Sequence, residues 1–161
     1  GVQRVLFRSD DQMAAPMGQF GLNGIAITPD GTHIIGGFSS PSKLFLIPLT
    51  SSGPVREIAL SGDPFAVPGD HHFTGADGII FIGETLYVVN DGAIQAVGFA
   101  GGDYSAGRVK NALAPEPGLT TATVVDGELY VIKAEVVWAM HMRQQPRLPF
   151  KIYRFPLSAF A

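Results

Sequence analysis

At 161 residues, with 46% hydrophobic and only 16% charged residues, the chain is long and apolar enough to bury one core, which excludes disorder as its organising state. A formal charge of −3 without a Lys or Arg cluster gives no footprint for a phosphate backbone, so no nucleic-acid partner is expected. Having no cysteine excludes a disulfide framework and a thiol nucleophile, and no apolar run approaches the ~20 residues of a membrane-spanning helix, so no membrane partner is expected.

Glycine supplies 20 residues and proline 12, and they fall between apolar runs, the composition of many short strands joined by tight turns. The expected class is all-β. The first nine residues stand apart. Reverse-translated, Val5-Leu6-Phe7-Arg8-Ser9 can be written as the end of a common short-read sequencing adapter, and Gly1-Val2-Gln3 can be read from the same oligonucleotide just upstream. Residues 1–9 are therefore read as non-native, against the plainer alternative of an ordinary strand, and the fold is expected to occupy 10–161.

From there the chain repeats itself. A first copy starts at Asn23-Gly24-Ile25-Ala26-Ile27, turns at Asp30-Gly31, runs through His33-Ile34-Ile35-Gly36 and Lys43-Leu44-Phe45-Leu46-Ile47, and ends on Val55-Arg56-Glu57-Ile58. A second starts at Asp77-Gly78-Ile79-Ile80-Phe81, turns near Gly83-Glu84, and continues through Leu86-Tyr87-Val88-Val89, Ile94-Gln95-Ala96-Val97 and Gly107-Arg108-Val109. A third starts near Thr120-Thr121-Ala122-Thr123-Val124, turns at Asp126-Gly127, and runs through Leu129-Tyr130-Val131-Ile132 to Phe150-Lys151-Ile152-Tyr153-Arg154-Phe155. Asp-Gly between strand-like runs predicts a two-residue hairpin turn with positive φ at both central positions, at Asp30-Gly31 and at Asp126-Gly127. Four-stranded units repeating every ~45 to 55 residues are the signature of β-propeller blades, placed here at about 20–60, 74–111 and 119–157; a two-sheet sandwich is the alternative. The segments between copies, roughly 60–75 and 112–119, are expected to be inter-blade loops.

In a propeller the innermost strand of every blade lines the central channel, so equivalent positions converge on the axis. Those positions are Asn23, Asp77 and about Thr120, each expected just ahead of its inner strand. An amide oxygen and a carboxylate facing one channel suit a hard divalent cation, calcium first, with zinc, manganese or magnesium as alternatives. Because Asn-Gly and Asp-Gly are also turn dipeptides, both residues could simply begin loops. His72, beside His71, and Thr120 are candidates for substrate contact at the channel mouth, with a solvated loop as the plainer role for the histidines. Lys133 and Glu135 could reach the channel, although an exposed pair between them is the default. Trp138, Met140 and Met142 could line an apolar pocket beside His141, with core or blade-to-blade packing as the plainer reading, and Asp63, Asp70 and Asp103 are read as loop residues.

The run from Phe20 to Gly31 resembles the Asn-Gly strand of the senescence-marker-protein, gluconolactonase and luciferin-regenerating-enzyme family, and Ala76-Asp77-Gly78-Ile79-Ile80 followed by Leu86-Tyr87-Val88-Val89 resembles its Asp-Gly strand. The resemblance extends over about residues 18–157. It implies about three blades of an incomplete six-bladed propeller, a metal-dependent hydrolase opening a sugar lactone or related cyclic ester, and a small-molecule substrate as partner. It also implies that Asn23 and Asp77 match two axial metal ligands, that Asp77 is ligand and general base together, and that the third ligand, a first-blade Glu, lies upstream. An isolated three-blade arc is then expected to expose blade faces, to self-associate and to be inactive, and an extracytoplasmic location is favoured. The rivals are a propeller that binds a small ligand or protein without chemistry, and a structural propeller of more blades.

Overall fold

The computed structural model of the chain describes residues 13–49, 53–62, 75–134, 136, 145 and 148–161. Three sheets follow one another in sequence. β1 (Leu22–Ile27), β2 (His33–Phe38), β3 (Lys43–Pro48) and β4 (Arg56–Glu57) pair in that order, all antiparallel. The second sheet runs β6 (Ile79–Ile82), β7 (Thr85–Val89), β8 (Ile94–Ala100), β9 (Asp103–Leu113), with β5 (Ala59–Ser61) added parallel to β9 on its outer edge. The third holds β10 (Leu119–Val125), β11 (Glu128–Lys133) and β12 (Lys151–Pro156), followed by a 3-10 turn at Leu157–Phe160. These are meanders whose first strands meet, β1 against β6 and β6 against β10, and the fold is all-β and propeller-type.

The alternation of side chains along β7 shows why the sheets stack. Leu86 and Val88 join Ile35, Leu44, Leu46, Ile79, Val97 and Tyr104 in the core between the first and second sheets. Tyr87 and Val89 point the other way, into a core shared with Ile94, Ala96, Leu119, Leu129, Val131 and Phe160 between the second and third. A strand buried on both faces reads as a continuous apolar run, which Leu86-Tyr87-Val88-Val89 is, and each such side chain contributes about 1.5–3 kcal/mol by leaving water. Tyr87 closes the second core by meeting Phe160 edge to face, with ring centroids 5.0 Å apart.

The turns divide by chemistry. Asp126 (φ 49) and Gly127 (φ 76) form the predicted two-residue turn, and Gly101 and Gly102 form another between β8 and β9. At Asp30-Gly31 the expectation fails, because only Gly31 has positive φ and the connection spans Thr28 to Thr32. The Asp30 carboxylate accepts bonds from Thr28 Oγ1, Thr32 N and Thr32 Oγ1, a side-chain network that fixes a longer loop. Those hydrogen bonds, led by Thr28, hold its carboxyl below the usual carboxylate range.

A second difference lies at the first outer strand. Val55 to Ile58 does not form one full strand: β4 is two residues long, and the chain then crosses to the second sheet as β5. Leu60 accounts for this, packing onto the second sheet where Gly107 offers no side chain, while Ser61 Oγ donates to Gly107 O at 3.3 Å. Asp103 also differs from its loop assignment, since it opens β9 and accepts from Ser105 N at 2.9 Å. Residues 1–9, His71, His72, Asp63, Asp70, Glu135, Trp138, Met140, His141 and Met142 lie outside the described residues.

Candidate functional site

The inner strands carry a repeated irregularity that builds the site. β1 and β2 lose register between Leu22 and Ile25, and β10 and β11 lose it between Leu119 and Thr121. Asn23 and Thr120 sit at these two bulges, which re-aim a side chain out of the ladder. They therefore lie inside their strands, not ahead of them as expected. Asp77 does precede β6, and the hairpin around it is closed by Asp77 N to Val89 O at 2.9 Å and Val89 N to Gly78 O at 2.8 Å.

Glycines bring these three points together. A Cβ on Gly24 would overlap the carbonyl oxygen of Asp77, and one on Gly78 would lie 2.6 Å from Thr121 Cα. Neither glycine has positive φ, and each is crowded by the next inner strand, so close approach rather than a left-handed turn accounts for both. Gly78 N donates to Thr120 O at 2.8 Å, completing the link from the second sheet to the third.

The result is a cavity of about 290 Å³ at one end of the sheets, lined by Asn23, Asp77 and Thr120 together with Ser39, Asp91 and an apolar wall that includes Phe20 and Leu119. Asn23 Nδ2 donates to Asp77 Oδ1 at 2.8 Å. Burial pushes the Asp77 carboxyl up to about 6; the Asn23 hydrogen bond works against this and the negative charge of Asp91 adds to it. No cationic side chain among the described residues pairs with Asp77.

The structure separates the remaining candidates. Lys133 is buried (5% exposed) and its Nζ lies 3.5 Å from Glu116 Oε2, so it is not half of an exposed pair. Glu116 also takes Lys151 at 2.7 Å, and that hydrogen bond first, then the lysine charges, holds its carboxyl below the ordinary range. Ser39 and Asp91 were not singled out by sequence reasoning. The available signal was positional: both follow the second strand of a copy, and a hairpin returns the chain to the end where it began. Asp91 is held there by Gly118 N and Leu119 N, which donate to its carbonyl at 2.7 and 3.0 Å. The buried Asn90 beside it accepts from Gly92 N and Ala93 N at 3.2 and 2.7 Å, which fixes the loop.

Among the described residues no group of three or more His, Cys, Asp and Glu side chains is placed to hold a metal ion. Asp77 fits a hard cation, because a desolvated carboxylate without a described cationic partner is stabilised by one, whereas Asn23 turns its amide nitrogen to that carboxylate and would have to present its oxygen instead to serve as a second donor.

No family model matches the sequence, and no curated protein does. Among solved structures, luciferin-regenerating enzyme superposes with a TM-score of 0.60 at 18% identity, over 83% of this chain and 44% of that one. At that identity the likeness shows the fold alone. Regucalcin from Agrobacterium tumefaciens, described as a calcium-binding protein, gives a TM-score of 0.45 at 20% identity over 73% of this chain and 41% of its own. Glutaminyl cyclase from Myxococcus xanthus gives 0.44 at 15% over 71% and 44%. The chain spans less than half the length of each of these structures.

Proposed function

We propose that the cavity binds a divalent cation through Asp77 and Asn23, calcium first with zinc, manganese or magnesium as alternatives, and serves the hydrolysis of a sugar lactone or related cyclic ester. One observation carries this reading: a half-buried carboxylate whose pKa is pushed up to about 6, bonded to an amide and without a described cationic partner, stands in a cavity of small-molecule size. A bound cation would supply polarisation of the ester carbonyl. Asp77 accepts the proton of the attacking water; with a pKa of about 6 it is mostly ionised at neutral pH yet basic enough for the task. Thr120 offers a hydroxyl to a bound ring, and Phe20 and Leu119 shield it from bulk water. The net change is addition of water across the ring ester, giving an open hydroxy acid.

The non-catalytic alternative draws support from the small number of protein donors, two where a closed calcium site takes six to eight oxygens. Cation titration with a lactone-hydrolysis assay separates the two when run on the complete propeller, since the isolated arc is expected to be inactive. Asp77→Asn should lower kcat/KM by about 10²–10⁴, and Asn23→Ala by much less. Unchanged hydrolysis in Asp77→Asn overturns the catalytic reading, and cation binding with no hydrolysis of any lactone supports the binding module.

A further inference from the structure

The end of the first sheet opposite Asn23, where His33 opens β2 and Pro48 closes β3, holds a second cavity of about 180 Å³. His33, Leu46, Pro48, Gly53, Pro54 and Arg56 line it, all from the first sheet and its β3–β4 connection. His33 pairs with Pro48, Ile35 with Leu46, and Leu46 with Arg56, so one face of the sheet runs from the buried Ile35 and Leu46 out to an imidazole and a guanidinium. The imidazole is held in one tautomer. Thr32 Oγ1 donates its single proton to Asp30 Oδ2 at 2.9 Å, so toward His33 Nδ1, 2.7 Å away, it can only accept, and Nδ1 carries the ring proton. Turning the Thr32 proton to Nδ1 would set the hydroxyl oxygen against a carboxylate that Thr28 and the Thr32 backbone keep ionised. Nε2 of the neutral ring is therefore an acceptor, and no described residue donates to it. Arg56 has no ion pair among the described residues, whereas Glu57, next to it in the chain, is committed to Lys43 at 2.6 Å.

We propose that this cavity binds inorganic hydrogen phosphate, the Arg56 guanidinium donating to its anionic oxygens while its P–OH group donates to His33 Nε2. A cation beside a fixed acceptor suits an oxyanion that keeps an acidic hydroxyl. Thr32 and Asp30 are positioning residues that act through the ring. Sulfate has the same shape but no hydroxyl at neutral pH, so one of its oxygens would face the Nε2 lone pair. A phosphate monoester, whose second pKa is about 6, is mostly a dianion at neutral pH and lacks the hydroxyl likewise. The site shares no residue with the cavity of Asp77 and stands or falls independently of it.

The test is titration of the 161-residue chain at neutral pH and constant ionic strength with sodium phosphate, sodium sulfate and methyl phosphate in parallel, followed by the NMR signals of the His33 ring and the Arg56 guanidinium. Phosphate should shift both sets of signals saturably, with a Kd about tenfold or more below those of the other two anions. Arg56→Gln should weaken phosphate about 10- to 100-fold, the worth of charge-assisted hydrogen bonds. His33→Asn keeps a donor for Thr32 but removes the Nε2 acceptor, and should bring phosphate and sulfate within about twofold of each other. A wild-type chain that binds phosphate and sulfate equally overturns the hydrogen-phosphate assignment. Absence of saturable shifts with phosphate, or a Kd unchanged in Arg56→Gln, overturns the site itself.

Discussion

The junction between the first and second sheets and the junction between the second and third use one packing device for two different ends. At both, a glycine on one inner strand admits the backbone of the next: Gly24 against Asp77, Gly78 against Thr120 and Thr121. At the first, the residues flanking that contact are Asn23, Asp77 and Ser39, hydrogen-bonded at the cavity. At the second they are Thr120 and Leu119, and the interface continues into an aromatic core with Tyr87 and Phe160. Close approach is thus shared by both junctions, whereas the described side-chain hydrogen bond to Asp77 comes from the first, the second adding Thr120 and Asp91 to the cavity lining.

The comparison breaks most visibly in the apolar junction. Leu119 is buried (1% exposed) against Leu129 and Val131, and Leu119→Ala should cost about 3 kcal/mol of unfolding free energy, measured by urea denaturation. A loss below about 1 kcal/mol would mean that this junction is not a packed core. Gly24→Ala and Gly78→Ala come next, at about 1–3 kcal/mol each, because the overlapped atoms are backbone and cannot turn aside. Equal losses sharpen the idea of one shared device; a harmless Gly24→Ala breaks it.

Asp77→Asn should move stability in the opposite direction. The carboxyl has a folded pKa of about 6 against roughly 3.9 unfolded, so the folded state holds its proton more tightly and wild-type stability falls as pH rises through that window. Above it the carboxylate is ionised in both states and the penalty is complete. The variant, which keeps an acceptor for Asn23, should therefore gain about 1–2 kcal/mol at pH 7 after discounting for the partly exposed carboxylate, and almost nothing at pH 4. A gain of equal size at both pH values would show that burial of charge is not its origin. The smallest effect is expected on the exposed inner strand, where Ile25 and Ile27 are 63% and 60% exposed. Ile27→Thr should change stability by less than about 0.5 kcal/mol yet reduce self-association in light scattering, because it shrinks an exposed apolar strip.

Local chemistry makes the strands legible from the amino-acid order alone. The Leu86-Tyr87-Val88-Val89 run, the Asp126-Gly127 turn and the recurrence of strand, turn and strand are all carried by residues within a few positions of one another, and the fold contains them. The convergence of Asn23, Asp77 and Thr120 is also readable, since a repeat places equivalent residues at equivalent points of a ring. What sequence alone leaves open depends on contacts between copies. That Asn-Gly and Asp-Gly are close-approach glycines is decided by the carbonyl of Asp77 and the backbone of Thr121, each far along the chain from the glycine it meets. The crossing of Ala59–Ser61 to the second sheet depends on the space left by Gly107. The burial of Lys133 depends on Glu116, and the place of Ser39 beside Asn23 on a hairpin that returns the chain to the cavity. A one-dimensional pattern fixes which residues seek burial or turn, while the identity of the atom waiting at each packed surface belongs to the tertiary fold.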